Sequence, residues 1–233
     1  MPFMSTFAEN QNRVVGVVVQ SMPFQDHHQI ISLYSAEWGL MRIIIKYAYS
    51  KKSPSSVEPL NLVEICLKKS KSELFQATSV SRLSTYLNLR GSYSMLSSSL
   101  DLLSSIIKSQ VSHKPSPILF SLLLKYLEYM PSAQEPKTLA ASFKLKILRH
   151  DGWLAIVDHC SLCKQPLSGV KIAEGQFLCE NHSIAHALSF SFEEMAQFKN
   201  LTLGRSFSQI DVVFLSSVLE EKVHSLFAEF VEP

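Results

Sequence analysis

The sequence predicts an α+β fold, in which a small N-terminal β-barrel is followed by a helical bundle with an inserted cysteine-rich module. Three observations support this prediction. Residues 13–80 are rich in short β-branched or alternating segments, leucines recur at helical intervals from residue 82 onward, and three of the four cysteines lie between residues 158 and 182. The 233 residues are 46% hydrophobic, which is enough to bury a core in each part.

Five short segments of β-branched or alternating apolar residues predict five strands. They are Arg13–Ser21, His28–Ser35, Leu40–Ala48, Leu60–Lys68 and Glu73–Val80. Turn-forming residues separate them, and Pro54 and Pro59 mark the longest loop. Five strands without intervening helices fit a closed or partly open barrel such as an OB-fold, with an SH3-like barrel as the alternative. We therefore expect an OB-fold domain over residues 1–80.

The apolar period changes to that of an α-helix after Arg82. The first helical segment carries apolar residues at Leu83, Leu87, Leu96, Leu100, Leu103 and Ile107. Proline breaks separate it from two further predicted helices, over 116–130 and 138–153, and the tail 208–231 predicts one more amphipathic helix. A helical domain is therefore expected over 81–157 and 187–233, interrupted by a module at 158–186.

That module contains two pairs of possible metal ligands. Cys160 and Cys163 form a C-x2-C pair, fifteen residues follow, and Cys179 and His182 form a C-x2-H pair. Zinc prefers four such ligands in a tetrahedron, and two short-spaced pairs supply them without a large core. The intervening residues alternate around Glu174-Gly175, which predicts a tight hairpin that returns the second pair to the first.

The fourth ligand is the open choice in this set. His159 and His186 are also near in sequence, but His159 adjoins Cys160 and would strain the chelate, so His182 is preferred. Four protein ligands leave no position for water, so a zinc ion here is expected to be structural. The alternatives are a chance grouping of cysteines and a redox C-x2-C pair, which would not need Cys179 or His182. The predicted fold is then an OB-fold barrel followed by a helical bundle with an inserted zinc-knuckle module.

Charge is distributed unevenly along the chain, although the net charge is only +2. Between residues 42 and 71, two glutamates oppose a group of seven cations, and nine acidic residues oppose three basic ones between residues 174 and 233. The seven cations are Arg42, Lys46, Lys51, Lys52, Lys68, Lys69 and Lys71. This distribution predicts an anion-binding surface near the N-terminal end and a solvated or partner-facing surface near the other.

The sequence offers little support for catalysis or for a membrane span. It has no glycine-rich phosphate loop with a following lysine, and no H-x-E precedes the cysteines, so an enzyme is not predicted and a zinc hydrolase is a minor alternative. His27 and His28 are expected at the surface, and Cys66 in the core. No apolar run approaches roughly 18 residues, and the first residues lack the apolar centre of a signal peptide, so a cytoplasmic protein is expected.

In their order, these segments resemble the RecO family of recombination and repair mediators. The similarity spans nearly the whole chain: "GVVVQSMPFQDHHQIISLYSAEWGLMRIIIKYAYSKKS", then "VEPLNLVEICLKK", then "FKLKILRHDGW", and finally the cysteine pairs. The resemblance implies a non-enzymatic protein that binds single-stranded and duplex DNA and anneals strands. It further implies that the protein loads recombinase onto coated single-stranded DNA with a RecR-like partner. A cytoplasmic, nucleoid-associated location follows from the same resemblance.

The basic loop and the aromatic residues beside it bear on the DNA interface. The family's lysine-glycine-alanine-arginine run is replaced here by Lys46-Tyr47-Ala48-Tyr49, while Lys46, Lys51 and Lys52 keep basic positions. OB-folds bind single strands through cations and stacking aromatic rings, and Tyr47 and Tyr49 are interleaved with these lysines. A zinc-stapled RNA-binding or protein-interaction factor that uses the same barrel is the alternative function.

The resemblance also implies a partner for the helical domain. RecO-like proteins bind the acidic, phenylalanine-ended C-terminal tail of single-strand binding protein, which requires an apolar pocket with a positive rim. The residues implied for this role are Phe143, Lys146 and Arg149. At helical spacing Phe143 shares a stripe with Leu139 and Ile147, although the family's preceding arginines are replaced by Ala141 and Ser142.

Overall fold

The computed structural model describes residues 13–50, 55–68, 74–167, 169–182, 184 and 186–231. The chain divides into two compact units. The first comprises Met1–Leu87 with Gln110–Ser121, and the second comprises Asn88–Ser109 with Leu122–Pro233. None of the helices among the described residues is long and apolar enough to cross a membrane.

Five strands form a closed barrel in the first unit, in the order β1-β2-β3-β5-β4, which confirms the predicted OB-fold. The strands are β1 Arg13–Phe24, β2 His28–Ser35, β3 Gly39–Ile45, β4 Leu62–Lys68 and β5 Phe75–Ser84. The barrel closes because β1 is long enough to pair with β2 through residues 16–24 and with β4 through residues 13–17. A bulge between Val18 and Gln20 bends β1 between these two partners.

Apolar side chains from alternate positions of the strands fill the interior of the barrel. Ile31 and Leu33 of β2, Ile43 of β3 and Ile65 of β4 are fully buried in one apolar cluster, and the residues between them point outward. The cluster continues past the strands through Ala48 and Val57. The predicted strands therefore exist, but β1 and β5 end later than expected and β3 ends earlier.

Residues 110–121 complete the barrel along β3. Leu40 forms a β-bridge with Ser112, and its carbonyl accepts a 2.9 Å hydrogen bond from the N–H of His113. Gly39 is required here, because it has a φ of +63° and a Cβ at this position would lie 2.1 Å from the carbonyl oxygen of Lys114. Farther along, the ring of Phe120 lies 6.1 Å from that of buried Tyr34.

The helices are α1 Tyr93–Ser109, α2 Pro117–Tyr129, α3 Pro136–His150, α4 Phe192–Leu203, α5 Phe207–Asp211 and α6 Ser217–Val231. Eleven of the fifteen residues of α3 are buried, so this helix is the centre of the second unit. The tail was expected to form one helix, but it divides into α5 and α6. Buried Asp211, the last residue of α5, accepts hydrogen bonds from the Tyr129 hydroxyl and from the N–H of Gln134. The Ser216 hydroxyl accepts from the N–H of Leu219 to begin α6.

A small antiparallel sheet lies between α3 and α4 in the sequence. Its strands are β6 Val170–Ala173, β7 Gln176–Leu178 and β8 Leu188–Phe190, in the order β7-β6-β8. Glu174 and Gly175 join β6 to β7 with positive φ angles of 50° and 70°, as the predicted hairpin requires. A Cβ on Gly175 would lie 2.0 Å from the carbonyl oxygen of Trp153.

Candidate metal centre and nucleic-acid interface

The four ligand atoms of Cys160, Cys163, Cys179 and His182 all lie within 4.8 Å of one another. The sulfurs of Cys163 and Cys179 are 3.8 Å apart, and the sulfur of Cys160 is 3.6 Å from Nδ1 of His182. Zinc–sulfur bonds of about 2.3 Å and zinc–nitrogen bonds of about 2.0 Å in a tetrahedron give separations of about 3.8 and 3.5 Å for these two kinds of atom pair. The arrangement is compatible with one metal ion.

Backbone hydrogen bonds shape the first cysteine pair. The N–H of Cys160 donates to the carbonyl of Gln165, and the N–H of Lys164 donates back to the carbonyl of Cys160, both at 2.9 Å. Lys164 has a φ of +63°, which reverses the chain after Cys163. The N–H of Ser161 donates to the carbonyl of Phe177 on β7, so the hairpin holds the two pairs side by side.

Among the three candidate histidines, the structure brings His182 into the group. Its N–H donates to the carbonyl of Cys179 at 3.0 Å, and its Nδ1 lies 3.2 Å from the Cys179 sulfur. His159 instead forms a β-bridge with Pro166, and neither it nor His186 belongs to the cluster of ligand atoms.

The surroundings of Cys160 favour its thiolate form. The backbone N–H of Cys163 contributes most to lowering the pKa of this thiol to about 5, with further help from the N–H groups of Cys179 and Leu162 and against the opposing effect of burial. A thiolate is the form that binds metal. The donor set, three thiols and one imidazole, therefore fits zinc and leaves no open position for a reacting water.

A continuous row of outward-facing residues crosses the barrel. Strand register aligns Met22 with Ile30, Ile30 with Ile44, Ile44 with Gln76, and Gln76 with Lys68. Their sequence neighbours Ile31, Ile43 and Leu67 belong to the core, so alternation turns this row outward. We call these five residues the outer-face row; Met22 and Lys68 at its ends are exposed, Ile44 and Gln76 are half-buried, and Ile30 is buried.

The predicted cations that the structure describes lie at this row. Lys68 is its last member, Arg42 lies two residues before Ile44 on the same face of β3, and Lys46 directly follows β3. All three side chains are exposed. Neighbouring strands lie about 4.8 Å apart, so Lys68 and Ile44 are separated by roughly 10 Å. The other four predicted cations, Lys51, Lys52, Lys69 and Lys71, lie outside the described residues.

Exposed aromatic residues lie at one end of the same face. Tyr47 is 63% exposed; its N–H donates to Nδ1 of His28 at 3.0 Å, and the two rings are 5.2 Å apart. Phe24 pairs with His28 in the β1–β2 register, and the N–H of Tyr49 donates to the carbonyl of His27. We call Phe24, His28, Tyr47 and Tyr49 the aromatic end. Flat rings beside cations can stack nucleobases while the cations meet phosphates.

Sequence reasoning missed Met22 and Phe24 as members of this face. The prediction ends β1 at Ser21, whereas the strand continues through Pro23 to Phe24. Proline is tolerated near a strand end, where the missing N–H leaves no interior ladder position unpaired, and Pro23 pairs with Gln29 in the register. One signal in the sequence could have extended the strand. The alternation of side chains in β1 continues through Met22, Pro23 and Phe24.

Comparison with known proteins decides the family. Residues 10–86 match the family model described as Recombination protein O N terminal, and residues 93–212 match the one described as Recombination protein O C terminal. The second match alone covers more than half of the chain. The chain belongs to the RecO family.

Relatives that carry the name DNA repair protein RecO align along most of its length. The protein of Chlamydia trachomatis serovar D is 28% identical over 221 residues, which are 93% of this chain and 90% of that protein. The protein of Chlamydia pneumoniae is 29% identical over 223 residues, 94% of this chain and 88% of that protein. A protein of Bacillus cytotoxicus is 24% identical over 174 residues, 73% and 70% of the two chains.

The residues that the RecO resemblance implies for partner binding lie on α3. Phe143 is fully buried, with its ring 5.2 Å from that of Tyr126, and Leu139 and Ile147 are equally buried. Lys146 is half-buried and donates to the carbonyl of Gly204 at 2.6 Å; burial first, and Arg149 second, lower the pKa of Lys146. Of the three residues, Arg149 alone is exposed. Their role in partner binding stays a prediction.

Proposed function

We propose that this RecO-family chain is a DNA repair protein that binds DNA and mediates recombination without catalysing a reaction itself. Both family domains match in order along the chain, and the relatives with the same span are named DNA repair proteins. The observation that carries the binding role is the convergence of Arg42, Lys46 and Lys68 on one outer face of the barrel.

The outer-face row and the aromatic end have different tasks in this proposal. The three cations contact phosphates, which is a sequence-independent interaction that serves both single-stranded and duplex DNA. Tyr47 and Phe24 stack on bases, and only unpaired bases offer a free face. A protein that holds a single strand with its bases accessible can present it to a complementary strand. We therefore propose strand annealing, followed by recombinase loading with a RecR-like partner, in the cytoplasm at the nucleoid.

The metal centre has a structural task in the same proposal. One zinc ion bound by Cys160, Cys163, Cys179 and His182 would fasten the two ligand pairs of the module together. The module lies in the second unit, and its strand β6 pairs with β8, which leads directly into α4. Zinc would thus stabilise the start of that helix rather than activate a substrate.

A second partner is proposed for the helical unit. The acidic, phenylalanine-ended tail of single-strand binding protein would bring the chain to coated DNA, through Arg149 with Lys146 and Phe143. Arg149 is exposed at the end of α3 and offers five N–H donors to a carboxylate. Phe143 would act from the core, by holding α3 in position.

The proposed function is tested with the full chain and three labelled ligands: single-stranded DNA, duplex DNA and single-stranded RNA. A triple variant, Arg42→Ala, Lys46→Ala and Lys68→Ala, is compared with a control that removes three exposed cations of the helical unit, Lys108→Ala, Lys125→Ala and Arg205→Ala. The barrel variant should lower the log-log salt dependence of single-strand binding by roughly 0.7 per lost contact, about 2 in all. The control should leave it unchanged.

Annealing is measured on complementary strands coated with single-strand binding protein. The wild type should accelerate annealing, and the barrel variant should lose most of this effect. Binding of RNA with no binding of either DNA would overturn the proposal in favour of an RNA-binding factor. If the barrel variant and the control lose DNA binding and annealing equally, the DNA interface lies elsewhere on the protein.

A further inference from the structure

A groove of about 700 Å³ runs along the helical unit, between α1 and α6 and above α3. Its floor consists of Ala140, Ala141 and Lys144 of α3, all nearly buried. Residues of α1 from Tyr93 to Ser104 form one wall, and residues of α6 from Ser217 to His224 form the other. At 1.5 Å per residue, the α1 wall is about 17 Å long, the length of about three helical turns.

The groove is shaped to receive a helix. On the α1 wall, Tyr93, Ser97, Leu100 and Ser104 recur at intervals of three and four residues, so one face of α1 lines the groove. Tyr93 is 86% exposed and Leu100 41% exposed, which leaves apolar surface uncovered at the edge. The alanine floor lets another backbone approach closely. An amphipathic helix that lays its apolar face into such a groove is a recurrent mode of peptide recognition.

Charge decides which kind of helix fits. Both lysines of the groove are already neutralised: Lys144 lies 2.7 Å from a carboxylate oxygen of Asp101, and Lys137 lies 3.6 Å from one of Glu220. Glu221 also lines the groove, and it forms no ion pair within the part of the chain that the structure describes. Three carboxylates against two paired lysines leave the lining with an excess of one negative charge, and His224 is its remaining titratable residue. A lining with this charge favours a cationic ligand over an anionic one.

We propose that the groove between α1, α3 and α6 binds a basic amphipathic helix of a partner protein. Its small apolar face lies on Ala140 and Ala141, between Leu100 and Val223. Its lysines or arginines meet Glu220 and Glu221 on the α6 wall. The site is separate from Lys146 and Arg149, which do not line the groove, and it does not depend on DNA binding by the barrel.

The test uses the full chain and two labelled designed peptides of about 15 residues, a length at which helices begin to be stable. Both carry the same alanine and leucine face; one has lysine and arginine on its flanks, and the other has glutamate. We expect the basic peptide to bind at least roughly tenfold more tightly than the acidic one, with an affinity that falls as salt is added. A scrambled basic peptide, equal in charge but without an apolar face, should bind weakly.

Two variants localise the binding, and a third is the matched control. Glu221→Lys reverses a charge on the α6 wall, and Ser97→Trp blocks the α1 wall from an exposed position, so both should weaken binding of the basic peptide about fivefold or more. Glu193→Lys makes the same charge change at an exposed site on α4 outside the groove and should have no effect. Tighter binding of the acidic peptide, binding of neither peptide, or equal effects of Glu221→Lys and Glu193→Lys would overturn the proposal. DNA binding by each variant, measured in parallel, reports separately on the barrel.

Discussion

Lys222 on α6 donates to both carboxylate oxygens of Glu194 on α4, at 2.8 and 2.7 Å, and each side chain is only 18% exposed. The ammonium group also lies 5.1 Å from the centre of the Phe190 ring. Glu194 has a second task, because its carboxylate accepts from the N–H of Ser191 while the Ser191 hydroxyl accepts from the N–H of Glu194. This capping box begins α4, so one carboxylate links the start of α4 to α6.

The Glu194 contacts predict a dependence of stability on pH. The bond from Lys222, followed by the bond from the Ser191 N–H, lowers the pKa of Glu194 below its ordinary value of 4.5. A lowered pKa in the folded state means that the carboxylate stabilises the fold above pH 4.5 and loses this effect as the pH falls through the folded value. Glu194→Gln should therefore lower the free energy of unfolding by about 1 kcal/mol at pH 7, and less at pH 3. Glu193→Gln, one residue earlier and exposed, is the control. A difference between wild type and Glu194→Gln that grows on acidification would contradict this account.

The metal centre predicts about one zinc ion per chain after purification. Chelation, or Cys160→Ser, should lower the melting temperature, because metal binding and folding of the module are coupled. The control is Cys66→Ser, since Cys66 lies on β4 and is not part of the ligand cluster. Metal analysis and thermal unfolding with and without chelator make the measurement. A metal-free protein whose melting is insensitive to chelator and to Cys160→Ser would contradict a structural metal.

Substitutions at two glycines distinguish the effect of a steric clash on stability from the effect of backbone strain. Gly152 and Gly175 have similar positive φ angles, 78° and 70°, but a Cβ on Gly152 meets nothing within 4 Å, whereas one on Gly175 meets the Trp153 carbonyl. Gly152→Ala should cost about 1 kcal/mol through φ alone. Gly175→Ala should cost at least roughly 2 kcal/mol more, because the backbone at Trp153 must move. Chemical unfolding of both variants measures the difference. An equal loss of unfolding free energy in the two variants would mean that the hairpin backbone shifts to accommodate the Cβ at no cost.

The aromatic end predicts a selective loss of single-strand binding. Tyr47→Ala should weaken binding of single-stranded DNA by about 1 to 3 kcal/mol, since one stacked base loses its ring, while duplex binding and the salt slope change little. Tyr47→Phe keeps the ring and should retain the affinity. Tyr93→Ala removes an even more exposed tyrosine from the helical unit and is the control. Parallel losses on single-stranded and duplex DNA would show that Tyr47 does not stack on bases.

Local patterns in the sequence predicted more of the fold than of its surfaces. The strands alternate clearly, and the spacing of Cys160, Cys163, Cys179 and His182 is short, so both could be read from neighbouring residues. The position of Phe143 depends on tertiary packing, because α3 is buried on nearly every side and its apolar stripe packs inward. The role of Phe143, Lys146 and Arg149 in partner binding stays a prediction. The groove could not be predicted, because its walls come from helices more than one hundred residues apart in sequence and each wall alone reads as a polar helix face.

The bridge between Leu40 and Ser112 bears on the order in which the protein can be made. Because residues 110–121 belong to the barrel unit, a ribosome must synthesise all of α1 before the edge of β3 acquires its last neighbour. Until then the Leu40 carbonyl has no His113 N–H to accept from, and Phe120 does not yet lie beside Tyr34. A fragment that stops at Leu87 would remain in that unfinished state permanently. An expression product that contains the whole barrel unit therefore extends at least to Ser121, well past the last barrel strand, β5.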